Sequence, residues 1–132
     1  MRDLSGRATL VTTVNFLHAY GARVVLVFGL LLGLWGSYHY FRNMQVSGGF
    51  RSTFLIMATL TPVQGLLGLA TLFLGGHPTQ GWLHMVYGAF ATLFLPGAYL
   101  YSRSGNARRE ALVLAGASWI VSIAYFRGIA TG

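Results

Sequence analysis

Four histidines, His18, His39, His77 and His84, carry most of the chemical potential of this chain, beside two acids, Asp3 and Glu110, and no cysteine. Without a thiol there are no disulfides, thiolate metal sites or cysteine nucleophiles. Neither acid lies within an apolar run, which excludes a carboxylate-bridged di-iron site and a proton relay through buried carboxylates. Zinc needs three or four ligands, and His77 together with His18 and His84 supplies three with no obvious general base. Two imidazoles stand out because of where they lie. His18 in "NFLHAYGA" and His84 in "GWLHMVYGAF" both fall in runs apolar enough to cross a bilayer, where polar groups are expensive and default to function.

The residues around them are small. At helical spacing His18 shares its face with Gly21, Ala22, Val25, Gly29 and Gly36, and His84 shares its face with Gly81, Gly88 and Ala91. Two explanations compete. Small residues let membrane helices pack closely, and a lone intramembrane histidine often hydrogen-bonds a neighbouring helix. Alternatively, the glycines clear a flat slot for a porphyrin whose iron takes one imidazole from each side.

Elements must place the two histidines at one level. Of the 132 residues 55% are hydrophobic and only 8% charged, where a soluble domain carries about a quarter charged residues. Roughly 20 apolar residues cross a bilayer as a helix, and four stretches qualify: about 13–41, 53–74, 82–101 and 111–126. The polar breaks "RNMQVSGGFR", "GGHPTQG" and "SRSGNARRE" separate them and are short enough to make neighbours antiparallel. The expected fold is an all-α integral membrane protein, a single up-down four-helix bundle. "MRDLSGRATL" does not read as a cleavable signal peptide, because the apolar run after it is too long.

The net charge of +7 comes from nine arginines, mostly at the ends of apolar runs, where they read as topology signals and headgroup contacts and not as a nucleic-acid surface. Arg42, Arg51, Arg103, Arg108 and Arg109 lie in the first and third connections, while "GGHPTQG" has none. The positive-inside rule puts those connections in the cytoplasm and both termini outside, with the plasma membrane the expected location. Tyr38, Tyr40, Tyr99, Tyr101, Trp82 and Tyr125 fall near span ends as an aromatic belt does. Spans one and three run the same way, so His18 and His84 approach the same, outer face. His39 lies at the other end and His77 in the outer loop. Counted from the arginines, His18 is about 7 Å further out than His84, which tilt or a longer first helix must absorb.

Two segments resemble the haem A synthase family. "PVQGLLGLATLFLGGHPTQGWLHMVYGAFATLFL", Pro62 to Leu95, looks like the second helix, loop and haem-binding helix of one half, with Gln64 to Gly68 matching its Gln-x-x-Leu-Gly segment. "NFLHAYGARVVLVFGLLL", Asn15 to Leu32, resembles the helix carrying the partner histidine. Full-length members hold two such four-helix halves, each with a histidine pair near the outer face; this chain is one half. The catalytic half has an acid where this chain has Asn15, and an arginine where it has Ala19. The resemblance therefore implies the half that keeps one haem b, with His18 and His84 as iron ligands and Gly21, Gln64, Gly81 and Gly88 around the porphyrin. Arg23 would pair with a haem propionate or snorkel to the headgroups. Gln64 also belongs to a seam with Thr61, Gly65 and Gly68 whose plainer role is interhelical hydrogen bonding.

The expectation is a b-type haem protein for electron transfer, a subunit of a larger membrane complex or self-associating, and not by itself a complete enzyme. Its rivals are a haem-free structural subunit and a half-size haem-modifying enzyme working as an oligomer.

Overall fold

The computed structural model describes residues 2–76 and 81–131. It contains four helices, α1 (Arg2–Phe41), α2 (Gly48–Phe73), α3 (Gly81–Ser102) and α4 (Ala107–Thr131), and no strand among the described residues. All four are long and apolar enough to cross a membrane. Leu31, Leu34, Ile56, Leu66, Leu93 and Phe126 lie exposed around the bundle. Such a surface suits a hydrocarbon solvent and would not suit water. The chain folds as a transmembrane four-helix bundle.

Local signals set the helix ends. Ser47 caps α2, its hydroxyl accepting from Phe50 N–H at 3.1 Å. Asn106 does the same for α4, its Oδ1 accepting from Arg109 N–H at 2.8 Å. α1 and α2 both close with a left-handed residue, Asn43 at φ 53° and Gly75 at φ 94°. In each, the next two amides bond back into the last turn: Met44 to the His39 carbonyl and Asn43 to that of Tyr40, Gly76 to that of Thr71 and Gly75 to that of Leu72. This pattern satisfies carbonyls that would otherwise be orphaned in a low-dielectric medium.

Three helices outrun the apolar stretches that announce them. α1 starts at Arg2, where hydropathy suggested about residue 13, and α2 and α4 begin about five and four residues early. The added turns are polar but contain no proline, and caps at Ser47 and Asn106 fix where two of them start. At 1.5 Å per residue the 40 residues of α1 span about 60 Å, roughly twice the hydrocarbon thickness.

Each helix packs on its sequence neighbour, and α4 closes the ring on α1 through the most extensive interface, while α2 and α3 share the smallest. Glycines make the α1–α4 contact close. A Cβ on Gly29 would collide with Ser122 Oγ, one on Gly33 would lie 2.8 Å from the Trp119 ring, and one on Gly36 would lie 2.8 Å from Ala115 Cβ. Trp119 Nε1–H donates across the same seam to Ser37 Oγ at 3.0 Å. Dispersion between closely approaching backbones, and not hydrophobic transfer, holds helices together in lipid. Phe50, Phe54, Met57, Leu95 and Leu114 fill the centre and are fully buried. At the arginine-rich end, Arg51 Nε–H donates to Glu110 Oε1 at 2.6 Å, tying α2 to α4.

Candidate functional site

His18 and His84 meet across the diagonal of the bundle. Their ring centroids are 5.9 Å apart and their planes are 70° to one another. The long α1 accommodates the offset in level read from the sequence, since it continues well past His18 before ending. Two imidazoles on opposite sides of one metal, each bonded at about 2 Å, have centroids about 6 Å apart.

The two rings are held differently. His84 Nδ1–H donates to the Gly128 carbonyl on α4 at 2.9 Å. A carbonyl only accepts, so the proton is on Nδ1 and Nε2 keeps its lone pair. A backbone acceptor behind one nitrogen is the arrangement that fixes tautomer and ring orientation in metal-ligating histidines. The His18 ring lies on α2, its Cε1 3.1 Å from where a Cβ on Gly68 would stand. A side chain at this position would push the ring back by a few tenths of an ångström.

Two polar atoms beside the pair lack hydrogen-bond partners: His18 Nδ1 and Gln64 Oε1, both buried, are the buried side-chain atoms left unpaired among the described residues. An orphaned buried polar group costs about 1–3 kcal/mol and marks a place where a partner or ligand belongs. These atoms are complementary in kind, since a protonated Nδ1 donates and an amide oxygen accepts. The chemistry of this donor set fits a porphyrin iron with two axial imidazoles. No group of three or more His, Cys, Asp or Glu side chains gathers among the described residues.

The other expected site residues divide. Gln64 is buried on α2, and its amide nitrogen presses on Gly21 where a Cβ would clash, so Gly21 makes room for Gln64. Gly81 and Gly88 have no neighbour within 4 Å of a Cβ position among the described residues, and both are exposed. The α2–α3 seam closes one turn deeper, where Thr92 Oγ1 lies 3.5 Å from the Cβ position of Gly65 and 3.4 Å from the Thr61 carbonyl. Above Thr92 the side of the site at Gly88 is open. Arg23 is exposed, its guanidinium donating to the Ala19 carbonyl of its own helix at 3.0 Å. The structure does not bring it to the histidines. His77 lies outside the described residues.

His39, at the opposite end, is buried among Trp35, Tyr38 and Phe50, and its Nδ1–H donates to the Trp35 carbonyl at 2.9 Å. It is a packed core histidine. One contributor escaped the sequence reading altogether. The Gly128 carbonyl is a backbone group with no side chain to mark it, and only the return of α4 beside α3 reveals it.

Fold and site together define an integral membrane four-helix bundle with a histidine pair facing across its interior. Comparison with family models, with curated proteins and with solved structures gave no match.

Proposed function

We propose that the chain is a small membrane cytochrome that binds one haem b through His18 and His84 and passes single electrons. The observation that carries this reading is the pair itself: rings 5.9 Å apart, with His84 already held by Gly128 in the tautomer a metal ligand needs. Haem supplies the one-electron couple when bound. The chain's residues ligate and shield it: His84 is oriented by the Gly128 carbonyl, and His18 rests on Gly68. Gln64 lies one turn from Gly68 on α2, so its unpaired Oε1 would be the acceptor toward which His18 Nδ1–H turns on binding, leaving Nε2 to ligate. Axial ligand identity, hydrogen bonding behind the ligands and burial are then the levers on potential. Edge access would be on the open Gly81 and Gly88 side.

The resemblance to a haem A synthase half supports the same ligands. It does not extend to haem oxidation, because Asn15 stands where that chemistry has an acid and is exposed here. By the positive-inside rule the arginine-rich connections face the cytoplasm of a plasma-membrane protein, and the histidines lie toward the outer face, with both termini outside. The partners would be other membrane subunits or a second copy, not nucleic acid. The rival reading, a haem-free structural subunit, draws on the tight α1–α4 seam, which needs no ligand.

Reduced-minus-oxidised visible spectra of the detergent-purified protein decide between them. A sharp low-spin b-type α-band, lost in both His18→Ala and His84→Ala, is the expected result. A colourless protein, or a band indifferent to both changes, rejects it. Incubation with haem B or haem O and a reductant, read by mass, should return the haem unchanged.

A further inference from the structure

An apolar groove away from the histidines runs along the outer faces of α3 and α4, has a volume of about 750 Å³, and is lined by residues including Phe90, Leu93, Phe94, Leu112 and Ile120. Gly97 and Gly116 belong to its lining, and a Cβ on either would meet nothing within 4 Å. The groove starts near the middle of α3 and ends at Tyr101, toward the arginine-rich end. Phe90 to Tyr101 is about 16 Å at the helical rise, close to half of a hydrocarbon core about 30 Å thick. It therefore spans a single leaflet. A lipid tail, which occupies one leaflet, matches that depth.

The mouth is cationic. The Arg109 guanidinium lies over the ring of Tyr101, itself a groove residue, 4.3 Å from its centroid. The other two arginines turn away from the groove: Arg103 donates to the Tyr99 hydroxyl at 2.9 Å in a polar pocket shared with Arg51 and Glu110, and Arg108 lies 4.7 Å from the centroid of the Tyr40 ring on α1. The acid at this end, Glu110, is engaged by Arg51. Arg109 forms no ion pair among the described residues. An apolar trough one leaflet deep, opening onto an unneutralised guanidinium at headgroup level, is complementary to an amphiphile with an anionic head.

We infer that this groove holds an acyl chain of an anionic phospholipid from the leaflet at the arginine-rich end, with Arg109 taking its phosphate. The site is independent of the histidine pair and of whether haem binds.

Native mass spectrometry of delipidated protein, titrated with phosphatidylglycerol and with phosphatidylcholine of the same chains, tests it. Phosphatidylglycerol should bind at least about tenfold more tightly, a gap of about 1.4 kcal/mol. Arg109→Ala should erase that preference. Gly116→Leu, which enters open space and should leave the fold intact, should abolish binding of both lipids, and Gly97→Leu should repeat the result. Equal binding of the two lipids overturns the inference, as does binding unchanged in both glycine variants. A wild-type dimer that either glycine variant converts to monomer would assign the groove to a second copy and also overturn it.

Discussion

Gln64 separates the two ways of reading the centre of this molecule. Its Oε1 is buried without a partner, as is His18 Nδ1. If the region only packs helices, Gln64→Leu removes an uncompensated polar group and should raise the stability of the haem-free protein by about 1–3 kcal/mol in detergent unfolding. In the haem-loaded protein the same change should weaken haem retention several-fold and shift the midpoint potential, because His18 loses the acceptor behind its ring. A variant neutral in both assays would mean Gln64 holds neither the bundle nor the ligand. Gly68 gives a sharper steric case. Alanine there puts a methyl group 3.1 Å from His18 Cε1, so Gly68→Ala should displace the ring and broaden or abolish a low-spin band while leaving helix content unchanged by circular dichroism. At this scale the sequence was informative about which imidazoles meet, since both sit in apolar runs toward the same end. It could not show that Gly21 would be taken up by Gln64, because that contact depends on how α1 and α2 face each other.

Helix boundaries and seams show a different limit. Apolar runs located every helix, yet α1, α2 and α4 begin several residues earlier than hydropathy implies. A helix stops where its hydrogen bonds find a cap, not where it leaves the oil. Ser47 and Asn106 carry that information for α2 and α4, and their capping role was legible in principle. The α1–α4 seam was half legible: the repeated glycines of α1 were visible, but Ala115, Trp119 and Ser122 as their partners were not. Gly33→Leu, driven into the Trp119 ring, should cost about 1–3 kcal/mol or more and be read as a lower detergent-unfolding midpoint. Glu110→Gln loosens a different tie. With Arg51 and Glu110 partly exposed at the bundle end, the loss should stay below about 1 kcal/mol and shrink further in high salt. A larger loss would mean the pair organises the arginine-rich connections.

For the whole molecule, the absence of cysteine makes orientation easy to test. Ser104→Cys, in the α3–α4 connection, should be hidden from a membrane-impermeant maleimide in intact cells and labelled after permeabilisation. Ala8→Cys, exposed on the first turns of α1, should label without it. The reverse pattern would turn the histidine end toward the cytoplasm and change which redox partners can reach it. The ring closure of four helices followed from short connections alone, while the unequal interfaces within it did not. α1 also has a consequence for whatever docks there. Arg2 stands sixteen residues before His18, so the helix rises about 24 Å past the level of the imidazoles. A macromolecule approaching that end meets a mast beside the site before it meets the site. The mast holds visitors off on its own flank and leaves the α3 flank, where Gly81 and Gly88 are bare, as the side on which to land.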